Sequence, residues 1–217
     1  MVKTSAAAGA GLWVAPSVFT FDRAAAAIGS CGAKPLQVDM STWAGNLMPT
    51  SPSSFFANDG TEIWMSIDDS DGVQDSYWQA RAHSGTLNGR DHPVITGMSG
   101  ATGGDAVAIT FTFDTPVRLS FFLVDVDSHD TGWEDKVSVI GRLSPSTTNI
   151  DPDSMTTGSA NTQISSNTVR GDFSSNTSNS NVEVDFQTPI DTLVVTHFDD
   201  TSRTAFQWIG IHDFHWC

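Results

Sequence analysis

The segment VRLSFFLVDVDSHDTGWEDKVSVI, residues 117–140, carries the strongest structural signal in this chain. Residues 119–126 are apolar at almost every position, which is typical of a strand in the middle of a sheet. A loop crowded with carboxylates follows, and residues 136–140 then alternate as a second strand. The segment therefore predicts a β-sandwich with an acidic loop, and a candidate cation site, at the end of its central strand.

The composition indicates an all-β chain suited to divalent cations or to a salty exterior. The 217 residues are 39% hydrophobic, carry a net charge of −15, and include 22 Asp but only 3 Glu. Aspartate favours turns and caps, whereas glutamate and lysine populate helical surfaces. Because like charges repel, nucleic acid and anionic membrane surfaces are excluded as partners, and divalent cations are favoured.

Outside residues 117–140, several short alternating segments predict further strands. They include residues 36–40, 62–67, 107–113, 182–186 and 193–198, with turns expected at Thr115-Pro116 and Pro189. No helix longer than a turn or two is predicted. The pattern predicts one domain over residues 28–217, an all-β antiparallel sandwich of jelly-roll-like type.

The first residues indicate export. Residues 1–27 have a lysine near the start, a weakly apolar Ala/Gly stretch and small residues at 24–27, so cleavage is predicted after Ala27. This segment resembles the tail of a twin-arginine export signal that lacks its arginine pair. An alternative is a lipobox at residues 28–31, with Cys31 acylated. Either alternative makes the protein secreted or bound to the cell surface, and no transmembrane span is predicted.

Two cysteines, Cys31 and Cys217, bracket the predicted domain. An exported chain meets oxidising conditions, so a disulfide between them is predicted. The alternative is two free thiols.

The order of these motifs resembles the β-sandwich domains of bacterial secreted and cell-surface proteins. The family's motifs are a D-I-D strand end, a W-x-D-x-V-x-V strand and a closing I-x-D-I-x-F strand. They correspond here to Asp125-Val126-Asp127, to residues 133–139 and to Ile211-His212-Asp213-Phe214. The resemblance spans most of residues 31–217. It implies surface adhesion or display and not a defined reaction.

Two acidic segments are candidate metal sites. The main one is predicted to bind calcium, because flexible loops of carboxylates supply the oxygens that Ca²⁺ requires. Its residues are Asp125, Asp127, Asp130, Glu134 and Asp135. A secondary candidate consists of Asp68, Asp69 and Asp71. The alternative for both is a solvated acidic turn whose carboxylates cap backbone amides.

The chain has seven tryptophans, which suggests carbohydrate binding, since an aromatic face stacks on a sugar ring. Trp43, Trp78 and Trp133 lie in or near predicted loops and are the candidate platforms, whereas Trp208 and Trp216 are assigned to the core.

These observations predict a non-catalytic extracellular binding or adhesion module whose partner is a glycan, a surface protein or another copy of itself. A carbohydrate-binding jelly-roll module with a structural calcium is the alternative. A secreted hydrolase is the third hypothesis. Its acid pair would combine Glu62, Glu134 or Glu183 with an aspartate, and nothing in the sequence singles out one pair.

Overall fold

The computed structural model describes residues 60–69, 106–129, 133–175, 177–199 and 207–217, together with the backbone of short strands between residues 36 and 98. The strands are β1 (Leu36–Gln37), β2 (Ser53–Phe56), β3 (Glu62–Asp69), β4 (Gln79–Ala82), β5 (Thr86–Leu87), β6 (Arg90–Asp91), β7 (Val94–Met98), β8 (Ala106–Val124), β9 (Ser128–His129), β10 (Trp133–Arg142), β11 (Ser154–Thr157), β12 (Asn161–Ser165), β13 (Thr168–Gly171), β14 (Val182–Asp199) and β15 (Gln207–Trp216). A single 3-10 turn, Ser178–Ser180, is the one helical element in these ranges.

Two long antiparallel strands, β8 and β14, organise the molecule. They pair along almost their whole length, with a register shift between Phe186 and Thr192 on β14. The first part of β8 also pairs with β3, while its last part pairs with β15. One pair of strands therefore contributes to two different sheets.

The pairing divides the strands into two layers. The first sheet contains β2, β3, the start of β8, the end of β14, then β10, β13 and β12. The second sheet contains β11, the start of β14, the end of β8, then β15, β7 and β4, with β1 also on β15. The ring of Phe214, on β15, lies 4.8 Å from Phe111 of the first sheet and 5.5 Å from Phe121 of the second, centroid to centroid. These contacts close a sandwich around one apolar core.

The core follows from strict alternation along the strands. On β3, Ile63, Met65 and Ile67 are buried while Trp64 is exposed. The start of β8 repeats the pattern, with buried side chains at every second position. A period of two places one set of side chains between the sheets and the other set on an outer face. The predicted fold class, an all-β antiparallel sandwich of jelly-roll-like type, is confirmed.

The two predicted proline turns are wrong. Pro116 lies within β8 and Pro189 within β14, and both strands continue past them. Both prolines lie near the register shift of the β8–β14 pair, where a ladder hydrogen bond is dispensable. Between residues 73 and 104 the described backbone includes four short strands, β4 to β7.

The first and last strands are neighbours, as the predicted cysteine bridge requires. Leu36 of β1 pairs with Trp216 of β15. The backbones of Arg118 and Cys217 exchange two hydrogen bonds, of 3.1 and 3.2 Å, so the C-terminal residue is held against β8.

Replacing Phe214 by alanine is expected to cost about 3–5 kcal/mol in the free energy of unfolding, because the ring fills the space between the two sheets. Phe173→Ala is the matched control: its ring is 48% exposed, and the change should stay within about 0.5 kcal/mol. Urea denaturation of both variants measures the difference. Equal losses would contradict the assignment of Phe214 to the core.

Candidate functional site

Residues 125–127, the first part of the acidic loop after β8, are buried and are not part of a strand. β8 ends at Val124, and Asp125 follows with a φ of 67°, a left-handed conformation that aspartate tolerates better than most residues. Asp125 and Asp127 are 7% and 4% exposed. The D-x-D motif, residues 125–127, therefore lies after the end of β8 and not within the strand.

Asp135 and His197 form a buried pair beside this loop. The Nε2 of His197 lies 2.9 Å from the Oδ1 of Asp135, and both side chains are 1% exposed. The other carboxylate oxygen accepts the N–H of Asp127 at 3.2 Å, while the N–H of Asp135 donates to the carbonyl of Asp127 at 2.9 Å. The pair therefore joins β10, β14 and the loop after β8.

Burial raises the pKa of the Asp135 carboxyl. The hydrogen bond from His197, the charge of His197 and the hydrogen bond from the Asp127 N–H each lower this pKa, but they offset the effect of burial only in part. At pH values between the usual pKa of an aspartate and the raised pKa of Asp135, the folded chain keeps a proton on Asp135 that the unfolded chain has released. The part of the free energy of unfolding that comes from binding this proton therefore grows as the pH falls through the folded pKa and is lost as the pH rises. The hydrogen bonds that Asp135 accepts are a separate contribution.

Two further residues pack against the loop. The Nδ2 of Asn161 donates to the carbonyl of Val126 at 3.0 Å. Gly171 pairs with Asn161 in the β12–β13 ladder, and a Cβ at Gly171 would lie 2.1 Å from the carbonyl carbon of Asp127. Only a glycine fits at this position without moving the loop. The N–H of Ser175 donates to the Oδ2 of Asp127 at 2.8 Å.

The structure brings together only part of the predicted calcium ligand set. Asp127 and Asp135 are in contact, but Glu134 projects to the opposite face of β10 and forms an ion pair with Arg170 at 3.4 Å. Asp130 lies outside the described residues. Within the described ranges, no three Asp, Glu, His or Cys side chains are grouped closely enough to hold a metal ion.

The secondary acidic candidate belongs mostly to a strand. Asp68 and Asp69 are the last residues of β3 and not part of a turn, and Asp68 is exposed. The side chain of Asp69 and all of Asp71 lie outside the described residues.

An exposed tryptophan lies where none was predicted. Trp64, on β3, is 41% exposed, whereas Trp216 is 4% exposed and belongs to the core as predicted. The alternation of Ile63, Met65 and Ile67 is the signal that could have placed Trp64 on the solvent side. Of the predicted platforms, Trp43, Trp78 and the side chain of Trp133 lie outside the described residues, as does the side chain of Trp208.

Trp64 belongs to a regular row of side chains on the side of the first sheet that faces away from the core. Its neighbour on β8 is Thr112, which pairs with Thr192 of β14, which in turn pairs with Arg142 of β10. Adjacent strands are about 4.8 Å apart, so this row extends over roughly 14 Å. It presents a large aromatic ring, two hydroxyls and a guanidinium on the side of the sheet away from the core.

The next rows of this outer face are mostly small or hydroxyl-bearing. They contain Ser66, Thr110, Val194 and Ile140, then Asp68, Ala108, Thr196, Ser138 and Thr168. At the far end the Nζ of Lys136 lies 5.7 Å from the centre of the Phe198 ring. We name this surface, from Trp64 to Phe198, the outer face.

The glutamates considered for hydrolysis are dispersed. Glu134 lies on the outer face, beside Arg170. Glu183 is on the start of β14, opposite Phe122, and therefore belongs to the second sheet. Glu62 is the first residue of β3.

Comparisons with known proteins identify no family for this chain. No protein-family model and no curated protein matches it. Among solved structures it is similar to a carbohydrate-binding module specific for non-crystalline cellulose, with 10% identity and a TM-score of 0.30, over 80% of this chain and 85% of that one. A similarity of this size assigns no ligand. None of the described residues forms a helix with the length and hydrophobicity needed to cross a bilayer.

Asp135→Ala is expected to cost about 3–5 kcal/mol in the free energy of unfolding, because it leaves His197 and the Asp127 N–H buried without their acceptor. The neighbouring change Glu134→Ala removes a carboxylate from a partly exposed ion pair and should cost less than about 1 kcal/mol. Chemical denaturation at neutral pH compares them. A loss of similar size in both variants would show that the buried pair contributes little.

Proposed function

We propose that this protein is a non-catalytic extracellular binding module and that its ligand is a neutral polysaccharide held on the outer face. The observation that carries the proposal is the 41% exposure of Trp64 in the middle of a strand. A large apolar ring that the fold leaves in solvent costs hydration free energy, and binding a ligand recovers it.

The chemistry around Trp64 suits a sugar chain. The C–H face of a pyranose ring is apolar and stacks on an indole, while its hydroxyl groups need hydrogen-bond partners at the ring edge. Thr112 and Thr192 supply hydroxyls in the same row, and Arg142 supplies donors at its end. Both Thr112 and Arg142 are exposed.

The charge of the chain favours a neutral ligand. At a net charge of −15 the protein repels polyanions at long range. On the outer face itself, Lys136, Arg142 and Arg170 are balanced in part by Asp68 and Glu134. A neutral polysaccharide meets neither the long-range repulsion nor a strong local field.

The extracellular location in this proposal is supported by the cysteines. Cys217 is disulfide-bonded, and Cys31 is the one other cysteine in the sequence. The strand that follows Cys31, β1, pairs with the residues just before Cys217. A bridge between these two residues needs an oxidising compartment. Residues 1–27 lie outside the described residues, and their export role remains a prediction.

Adhesion to a protein or to a second copy is the second candidate. β12 is the last strand on its side of the first sheet, and its Ile164 is 46% exposed. In the part of the chain that the structure describes, no strand pairs with its other edge. Such an edge accepts an additional strand from a partner.

Polysaccharide retention tests the first candidate. The full chain should be retarded in affinity electrophoresis through gels containing soluble neutral glucans, mannans or xylans, and Trp64→Ala should weaken binding at least about 10-fold, since stacking on the ring is lost. Trp64→Phe should keep part of the affinity. Phe173→Ala, which removes another exposed ring, should leave binding unchanged.

Two results would contradict this assignment. Retention that is unaffected by Trp64→Ala would place the glycan elsewhere on the protein. No retention on any polysaccharide, together with concentration-dependent self-association that Ile164→Lys abolishes, would favour adhesion through β12.

The double variant Cys31→Ser/Cys217→Ser is expected to lose about 2–5 kcal/mol in the free energy of unfolding, because the bridge restricts nearly the whole unfolded chain. Urea denaturation of the oxidised wild type and of the variant gives the difference, and the reduced wild type should match the variant. Thiol labelling of the unfolded, unreduced protein provides the control. Two reactive thiols per chain would rule out the bridge.

A further inference from the structure

Arg142 is held in position at the end of the outer-face row that begins at Trp64. Its Nε donates to the Oδ1 of Asn149 at 3.2 Å. The loop between these two residues is closed by a backbone bridge, in which Gly141 and Ile150 exchange two hydrogen bonds of 2.8 Å. Asn149 is therefore held beside the end of β10, and its side chain orients the guanidinium.

The oriented guanidinium keeps donors for a ligand. It carries several N–H groups, and the bond to Asn149 uses the Nε. The side chain of Arg142 is exposed. Because a guanidinium is planar and donates two parallel hydrogen bonds, Arg142 suits two adjacent hydroxyl oxygens of one sugar ring. Its orientation by Asn149 also reduces the conformational entropy that binding would remove.

Thr192 has its hydrogen-bonding direction set by the fold as well. Its Oγ1 donates to the Oδ1 of Asp191 at 3.1 Å. A hydroxyl that donates its proton still accepts with its lone pairs, so Thr192 is an acceptor for a ligand hydroxyl. Along the row, the aromatic face of Trp64 is therefore followed by an acceptor at Thr192 and by donors at Arg142.

These hydrogen-bonding groups continue across the strands and not along them. The next row ends in Val194 and Ile140, and on β8 the hydroxyls give way to Ala108. All three side chains are half-buried and form no hydrogen bonds. Since the hydroxyls of a glycan need partners along its length, the row from Trp64 to Arg142 is the direction that supplies them.

We propose, on the basis of the glycan binding proposed above, that the sugar chain lies across the strands from Trp64 to Arg142 and that Arg142 binds the unit farthest from the tryptophan. The row spans three strand spacings, which is roughly 14 Å. A pyranose unit lengthens an extended chain by about one strand spacing, about 4.8 Å. A trisaccharide is therefore the shortest ligand that reaches both ends of the row.

Titration calorimetry of the full chain with cello-, manno- and xylo-oligosaccharides, from monosaccharide to hexasaccharide, tests the length and the direction. The trisaccharide of the preferred series should bind at least about 10-fold more tightly than the disaccharide, and longer members should gain little. Arg142→Ala should weaken trisaccharide binding at least about 10-fold and disaccharide binding much less. Trp64→Ala should weaken both.

Matched variants separate Arg142 from its charge and from the rest of the face. Arg170→Ala removes another guanidinium from the outer face, one that is paired with Glu134 and Asp172, and should leave both affinities unchanged. Arg142→Lys keeps the charge but loses the planar pair of donors, so it should restore only part of the trisaccharide affinity. Thermal unfolding of Arg142→Ala should match the wild type, because the side chain is exposed.

The outcomes distinguish this assignment from glycan binding itself. Trisaccharide binding that requires Trp64 but is unchanged in Arg142→Ala would overturn the direction and leave glycan binding in place. Affinity that keeps rising up to the hexasaccharide, or a polysaccharide that binds when none of its oligosaccharides does, would overturn the length. A wild-type protein that binds neither oligosaccharides nor polysaccharides would contradict the proposed function and this assignment together.

Discussion

The antiparallel pairing of β8 with β14 is the constraint on which the other contacts depend. Because both strands pass from one layer to the other, the other strands of the large sheet attach to layers that these two define, while β5 and β6 pair only with each other among the described strands. To pass between the layers, β8 and β14 must bend at positions that lie opposite each other. These positions coincide with the register shift, and each strand has a proline there. Because the register shift already interrupts the ladder of hydrogen bonds, the missing N–H of a proline costs little at this point. The core ring of Phe214 then contacts both ends of β8.

This arrangement also explains why the polar groups of the interior are concentrated at one end. Where β8 leaves the sheet at Val124, the loop that follows is still covered by the strand ends around it, so its backbone and carboxylates need partners inside the protein. The N–H of Val126 donates to the carbonyl of Ser180, and its carbonyl accepts a hydrogen bond from Asn161. Asp127 accepts hydrogen bonds with its backbone carbonyl and with its carboxylate. Asp135 and His197 complete the network at the cost of desolvating both groups.

The sequence was sufficient for the fold class because alternation is a local property. Ile63, Met65 and Ile67, or the apolar residues of β8, identify the buried face without knowledge of the partner strand. The prolines were misread because a strand that bends between sheets has the same local signature as two strands joined by a turn. The candidate sites were harder to predict. Glu134 and Asp135 are adjacent in sequence but project to opposite faces, and Asn161 reaches the acidic loop through a ladder that no local pattern encodes.

The outer face and residues 125–127 also differ in how far the fold already fixes and desolvates their side chains. Trp64 is held on a strand that pairs with β2 and β8 on its two sides, so its position is fixed before any ligand arrives, and little conformational entropy remains to be lost on binding. At the loop end, Asp125 is held with a positive φ and the carboxylates are already desolvated. The proposed recognition surface therefore lies on a strand whose backbone is already held, whereas the polar network at the loop end acts on the stability of the fold.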